Sequence, residues 1–227
     1  MRNVLITLVL GSTVLVSGQA SASIISNLNN VAAPKQVVDF NDVNGLFFGS
    51  GSTYVTNVPQ VTFSSLNGDF TAGQYVADLG INGLWGAGKS FLSFDTIGDM
   101  TLKIDFGGLK TRSFAAEWSL YEETDDFRNL TVTAWGVDGS SESFTIQSFK
   151  EALDGIDIDD NELLTSYNYS FTRGIKLANA DIAFVTIQGD GVVMDNFTYT
   201  MPVPEPTSYA LLLAGLGLIG CLARRRT

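Results

Sequence analysis

The 227-residue sequence contains no histidine and a single cysteine. Without histidine there is no Ser-His-Asp triad, no Cys-His dyad and none of the usual imidazole-based zinc sites. Paired carboxylates and Ser-Lys arrangements are the main common hydrolytic chemistries left. The one cysteine, Cys221, lies in an apolar run near the C-terminus, so the chain before it holds no disulfide and must be stabilised by core packing, with a bound metal as a further aid. Basic residues are also scarce. Of 24 acidic residues only Glu205 lies outside positions 23–203, whereas Arg2 and Arg224, Arg225 and Arg226 account for four of the 13 basic ones. The central body is therefore strongly acidic, and such a surface repels nucleic acid and anionic lipid. It suits divalent cations or neutral partners such as polysaccharide.

Long apolar runs occur only at the two ends. Met1 and Arg2 precede the run from Val4 to Val16, followed by Ala20-Ser21-Ala22. A short basic region, an apolar core and an A-x-A site predict a signal peptide over residues 1–22, with Ser23 as the mature N-terminus. The alternative, a membrane helix, is too short for about 30 Å of hydrocarbon. At the other end Tyr209 to Ala223 is apolar or small and is closed by Arg224, Arg225 and Arg226. At a rise of about 1.5 Å per residue the run is marginal for spanning. Its arginines predict a cytoplasmic end. Pro204 and Pro206 stop any helix from continuing upstream and hold the peptide around Glu205 extended at the outer face of the membrane.

The order Val203-Pro204-Glu205-Pro206, apolar helix and terminal Arg224, Arg225 and Arg226, combined with a signal peptide, resembles the PEP-CTERM sorting signal of Gram-negative bacteria. The resemblance implies recognition by an exosortase, transient insertion in the inner membrane, removal of the tail and delivery to the cell surface or extracellular matrix. An ordinary single-span anchor with a Pro-rich neck, never processed, is the competing reading.

Residues 23–201 are expected to form one domain. Short runs rich in Val, Thr, Phe, Ile and Tyr alternate with Gly/Asn/Asp/Ser clusters, the pattern of an all-β antiparallel β-sandwich or jelly roll. Strands are expected at 36–40, 60–65, 90–95, 100–106, 111–121, 130–139, 141–149, 181–189 and 193–200. Alternation places Phe114, Ala116, Trp118 and Leu120 on one face and Glu117, Ser119 and Tyr121 on the other. In 130–139 it turns Leu130, Val132 and Ala134 inward and leaves Trp135 among Thr131, Thr133 and Val137. The order of segments also resembles the β-sandwich domains of PEP-CTERM proteins and, more loosely, galactose-binding-like jelly rolls that include many carbohydrate-binding modules.

Several side chains stand out as candidates. By that resemblance, the closing Met194-Asp195-Asn196-Phe197 lends Asp195 to a structural calcium, with Asp39, Asn41 and Asp42 offered by the opening strand if first and last strands are neighbours. Two carboxylates plus amide and carbonyl oxygens would suffice for such an ion. In the bland alternative Asp195 bonds backbone at a strand edge. Trp85, Tyr121 and Trp135 are candidates for an aromatic platform on which the apolar faces of sugar rings stack. Trp85 is equally readable as the plug of one sandwich end. Positions 83–90 satisfy G-x-x-x-x-G-K-[ST] formally, but a phosphate loop needs a helix after it and the chain continues into a strand pattern. Asp157 to Glu162 echo an EF-hand start, yet Glu162 and Asn168 stand where Gly and Glu are required. Glu117, Glu122, Glu123, Asp125 and Asp126 are the densest carboxylate group, and a glycosidase needs only two. The favoured reading is nonetheless a non-catalytic, surface-sorted protein that binds polysaccharide, with a carbohydrate-active enzyme as the alternative.

Overall fold

The computed structural model describes residues 22–58, 61–74, 89–94, 98–120, 129–146, 170–179 and 181–201, with Ala214 and Leu216. Fourteen strands follow in chain order: β1 Ser23–Ile25, β2 Lys35–Val38, β3 Leu46–Phe48, β4 Thr53–Val55, β5 Thr62–Asn67, β6 Phe70–Gln74, β7 Ser90–Phe94, β8 Met100–Asp105, β9 Ser113–Leu120, β10 Leu130–Gly136, β11 Ser141–Ile146, β12 Phe171–Lys176, β13 Ile182–Gly189 and β14 Val192–Thr200. A short 3₁₀ turn, Leu28–Asn30, follows β1.

All pairings between these strands are antiparallel. One sheet has eight strands in the order β1-β12-β9-β14-β7-β6-β3, with β2 also on β14; the other has six, β11-β10-β13-β8-β5-β4. The fold is thus the expected all-β antiparallel sandwich. Its core sits where alternating residues of both inner faces meet. β8 contributes Met100, Leu102 and Ile104, β10 Leu130, Val132 and Ala134, and β9 Phe114, Ala116, Trp118 and Leu120, as period-2 alternation predicts. An aromatic group ties the sheets together. Phe197 packs against Phe63, Phe106, Phe114 and Tyr199 at centroid separations of 5.8, 6.4, 5.9 and 6.1 Å.

The nine expected strands all form, most of them shorter than their apolar pattern. The first stops at Val38 because Phe40 takes φ 54° and turns its fully buried ring into the core, while Asp39 accepts a hydrogen bond from the Asn41 amide at 3.2 Å and closes a turn. Five strands escape the sequence pattern. β1, β3 and β4 have three residues each, while β6 and β12 are interrupted by Gly73 and Gly174. Gly174 has a packing reason: a β-carbon there would run into the backbone of Phe114 and Ala115, so only glycine lets β12 lie against β9.

The element that positions the candidate sites is β14. On one edge it pairs with β9; on the other it pairs first with β7 through Val193 and Met194, then with β2 through Phe197 to Thr200. Between these partners the register shifts across Asp195 to Thr198, and Asn196 takes φ 50°. An inserted residue of this kind bends a strand and re-aims its side chains. The opening strand expected from sequence, β2, and the closing strand β14 are therefore neighbours, the condition set for bringing Asp39 toward Asp195. Among the described residues no helix is long and apolar enough to cross a membrane.

Candidate functional sites on the two outer faces

The outer face of the eight-stranded sheet carries a carboxylate pair. Asp195 and Glu117 stand directly opposite each other across β14 and β9. The Asn196 side-chain amide donates to Glu117 Oε2 at 2.7 Å and to Asp195 Oδ2 at 3.3 Å. The Asn196 backbone N–H donates to Asp195 Oδ1 at 2.6 Å. Burial raises the Asp195 carboxyl to about 7, helped by the negative charges of Glu117 and Asp39; the Asn196 N–H and the Lys89 ammonium act the other way. The cause is direct: taking a carboxylate out of water and placing like charges beside it both favour the protonated form. Near neutral pH this aspartate is balanced between charged and neutral.

The face around the pair is covered rather than open. Ser119 and Val193 are fully buried and Ser93 nearly so. The Ser119 hydroxyl has no hydrogen-bond partner among the described residues. At the β12 side Ile25 and Val31, with Leu28, pack on Ala115. Glu117 and Ser119 thus share the outward face assigned from alternation, but that face is largely withdrawn from solvent.

The outer face of the six-stranded sheet is different. Trp135 on β10 and Phe184 on β13 are direct cross-strand partners, and their rings stack at 5.8 Å with 16° between planes. The Trp135 indole N–H donates to Thr186 Oγ1 at 2.9 Å, which fixes the ring. Lys103 Nζ lies 4.7 Å from the Phe184 centroid and 2.8 Å from Asp105 Oδ2. That ion pair, with the Gly107 amide bonded to Asp105, keeps the Asp105 carboxyl below its usual range against the opposing effect of burial. Register carries the polar strip on through Thr133 and Thr186, then Thr131 and Gln188; Thr131 and Thr145 join hydroxyls at 3.0 Å. The indole and its neighbours are half-buried, so the face presents an apolar strip bordered by hydroxyls, one amide and one ion pair.

Of the three sugar-platform candidates, Trp135 stands on this open face, while Trp85 and Tyr121 lie outside the described residues. Reasoning from sequence missed Phe184, Thr186, Lys103 and Asp105 as its companions. Alternation in 100–106 and 181–189 turns them outward, but only the strand order places them together. Asp39 and Asn41 are exposed on the turn after β2, and the Asp39 charge is felt at Asp195. Among the described residues no three acidic side chains converge on one point. Of the carboxylate group around Glu117, the members Glu122, Glu123, Asp125 and Asp126 lie outside the described residues, as do Asp157 to Glu162 and Val203, Pro204, Glu205, Pro206, Arg224, Arg225 and Arg226. Ser90 opens a strand, not a helix, so the formal phosphate-loop spacing lacks the helix N-terminus it needs.

The family described as the PEP-CTERM protein-sorting motif matches residues 202–226. A comparison with curated proteins finds no match. Among solved structures the chain is similar to the catalytic domain of a GH87 alpha-1,3-glucanase in complex with tetrasaccharides, at TM-score 0.34 and 16% identity over 78% of this chain and 29% of that one. It is also similar to TmCBM61 in complex with beta-1,4-galactotriose, at TM-score 0.30 and 10% identity over 74% and 83% of the two chains. The family 11 carbohydrate-binding module of a cellulosomal cellulase of Clostridium thermocellum aligns at TM-score 0.21 and 8% identity over 77% and 99%. The chain spans less than a third of the length of the first of these. It is an all-β sandwich protein that carries, over residues 202–226, the PEP-CTERM sorting motif of an exported protein.

Proposed function

We propose that the protein is an exosortase substrate, held briefly in the inner membrane by its tail and then placed at the cell surface or in the extracellular matrix, where its sandwich binds polysaccharide without catalysis. The observation that supports binding is the Trp135–Phe184 stack on a face lined with Thr131, Thr133, Thr186 and Gln188. Sugar rings pair an apolar face with a rim of hydroxyls. An indole presents an apolar body with a polar tip, here already anchored by Thr186. The surrounding threonines, Gln188 and the Lys103–Asp105 pair supply donors and acceptors for the rim. The body's negative charge favours neutral chains over anionic ones.

A glycan array probed with the full chain tests this reading. A bound neutral glycan whose affinity falls by about tenfold or more in Trp135→Ala supports it, each tenfold being about 1.4 kcal/mol; unchanged binding in that variant overturns it. For sorting, Pro204→Ala, Glu205→Ala and Pro206→Ala together should leave the protein in the membrane fraction with its tail intact, read by the mass of the C-terminus. Normal delivery of that variant would overturn the sorting role.

We propose a structural calcium for the other face, at Asp39, Asn41 and Asp195. What supports it is that β2 and β14 are neighbours and that Asp39 acts on Asp195. Asp39 and Asp195 would supply carboxylate oxygens and Asn41 an amide oxygen, and the ion would neutralise carboxylates that now repel. A rise in melting temperature with millimolar calcium, absent in Asp195→Asn, tests it; an unchanged melt overturns it. No catalytic role is proposed for Asp195 and Glu117, because the Asn196 amide bridges them.

A further inference from the structure

The exit of the tail from the body is fixed by three hydrogen bonds, two of them buried. Met201 N–H donates to the Pro34 carbonyl at 2.7 Å. Thr111 Oγ1 donates to the Thr200 carbonyl at 2.8 Å, and the buried hydroxyls of Ser113 and Thr200 are 2.7 Å apart. Only Met201, Pro202 and Val203 separate Thr200 from Pro204. At no more than about 3.6 Å per residue, Pro204 stays within roughly 14 Å of Thr200. The apolar run opens at Tyr209, nine residues after Thr200, so whatever holds the tail lies within about 32 Å of this end of the sandwich.

The part of that end formed by the eight-stranded sheet and the turn before β9 is basic, against the sign of the rest of the body. Register sets Lys35 opposite Thr200 and Lys176 opposite Ser113, and Lys110 and Arg112 flank Thr111. Lys35, Lys110 and Arg112 are exposed and Lys176 is half-buried. Lys35 Nζ donates to the Leu28 carbonyl and Arg112 Nε to the Leu177 carbonyl. None of the four is in an ion pair with a described residue. The acidic residues Asp138, Asp181 and Glu142 stand at the same end on the six-stranded half, where Val137 N–H donates to the Asp181 carbonyl and Glu142 pairs with Ala134. Met201 and Val137 expose apolar side chains there as well.

We propose that this end is a membrane-docking surface: Lys35, Lys110, Arg112 and Lys176 seat the body on the anionic phospholipid headgroups of the bilayer that holds the tail. The inference rests on the tail being membrane-held. Basic side chains close to an anionic surface are each weakly attracted to it, and the tether makes their encounter intramolecular, so weak contacts are enough. The remaining, acidic surface is repelled by the same headgroups. Attraction at one end and repulsion elsewhere orient the body with the exit of β14 toward the bilayer, which sets the neck beside it. Cutting the tail removes the tether, and the acidic body then leaves.

The test uses the chain from Ser23 with its tail intact, with vesicles of phosphatidylcholine, with or without phosphatidylglycerol. Flotation reports the tail; brief amine acetylation read by mass spectrometry reports the end. Labelling of Lys35, Lys110 and Lys176 should fall by about threefold or more with phosphatidylglycerol and recover in high salt, as screening requires, while Lys103 on the six-stranded face stays unchanged. Arg112→Glu, which keeps all three reporters, should cut that protection by about half. Flotation with equal labelling in both vesicles, an equal fall at Lys103, or full protection in Arg112→Glu overturns the docking surface alone. A chain that floats with neither vesicle overturns the membrane-held tail and the docking with it.

Discussion

The outer face of the eight-stranded sheet buries Ser93, Ser119 and Val193 and holds Glu117 and Asp195 half-buried, whereas that of the six-stranded sheet leaves Thr131, Thr133, Trp135, Phe184 and Thr186 partly open. Both faces arise from the same alternation along antiparallel strands. On the first, polar groups are drawn inward and bonded to one another, and Asp195 carries the electrostatic consequence. On the second, the indole is anchored at one atom while its neighbours keep hydrogen-bonding capacity for a ligand. A face that is covered, its polar atoms bonded to one another apart from Ser119, offers little to a ligand; a face with a rigid aromatic group and accessible hydroxyls can contribute to recognition.

Trp118 and Trp135 give the largest contrast. Trp118 is fully buried, donates to the Arg173 carbonyl at 2.9 Å and meets Phe144 edge-on, so Trp118→Ala should cost about 3–5 kcal/mol in urea unfolding. Trp135→Ala should cost about 1.5–2.5 kcal/mol, the scale of one hydrogen bond and one ring stack, while the proposed glycan binding should fall by about tenfold or more. Equal stability losses would break the comparison.

The next effect is pH-dependent. The Asp195 carboxyl lies at about 7 in the fold against 3.8 for its ordinary value, so between these values the folded chain holds a proton that the unfolded chain has lost. Stability from this group is complete below about pH 4, falls as pH rises and is gone above about pH 7, a range worth about 4 kcal/mol. Asp195→Asn keeps the acceptor for the Asn196 N–H and removes the charge. It should therefore be more stable than the parent by a few kcal/mol at pH 8 and nearly equal at pH 4, measured by urea titration at both. A parallel pH profile in the two proteins would show that Asp195 does not titrate in this range.

Smaller changes sharpen each face separately. Thr186→Val removes the acceptor of the Trp135 N–H and should cost about 1 kcal/mol, with a shift in indole fluorescence and a loss of glycan affinity smaller than that of Trp135→Ala. Ser119→Ala removes a buried hydroxyl and should stabilise the protein by up to about 1 kcal/mol. Destabilisation by Ser119→Ala would mean that the hydroxyl is bonded in solution.

Much of this architecture is legible in the chain. Period-2 alternation assigned Trp118 to the core and Trp135 to an outer face, because each face is written in neighbouring residues. The strands it missed are either three residues long or carry a glycine whose purpose, as at Gly174, is a close approach to a distant strand. The fully buried Ser119 was likewise beyond local pattern: alternation says which way a side chain points, not what covers it.

The sequence by itself determined the sorting motif at 202–226, the lack of imidazole and disulfide chemistry in the body, and the inward and outward sets of each long strand. All are properties of composition or of residues within a few positions of one another. Tertiary structure alone decided that Asn196 bridges Asp195 to Glu117, 79 residues away, that Trp135 is held by Thr186 across 51 residues, and that Lys35, Lys110, Arg112 and Lys176 gather where β14 ends. Those meetings depend on strand order and register, which the packing of the whole core selects.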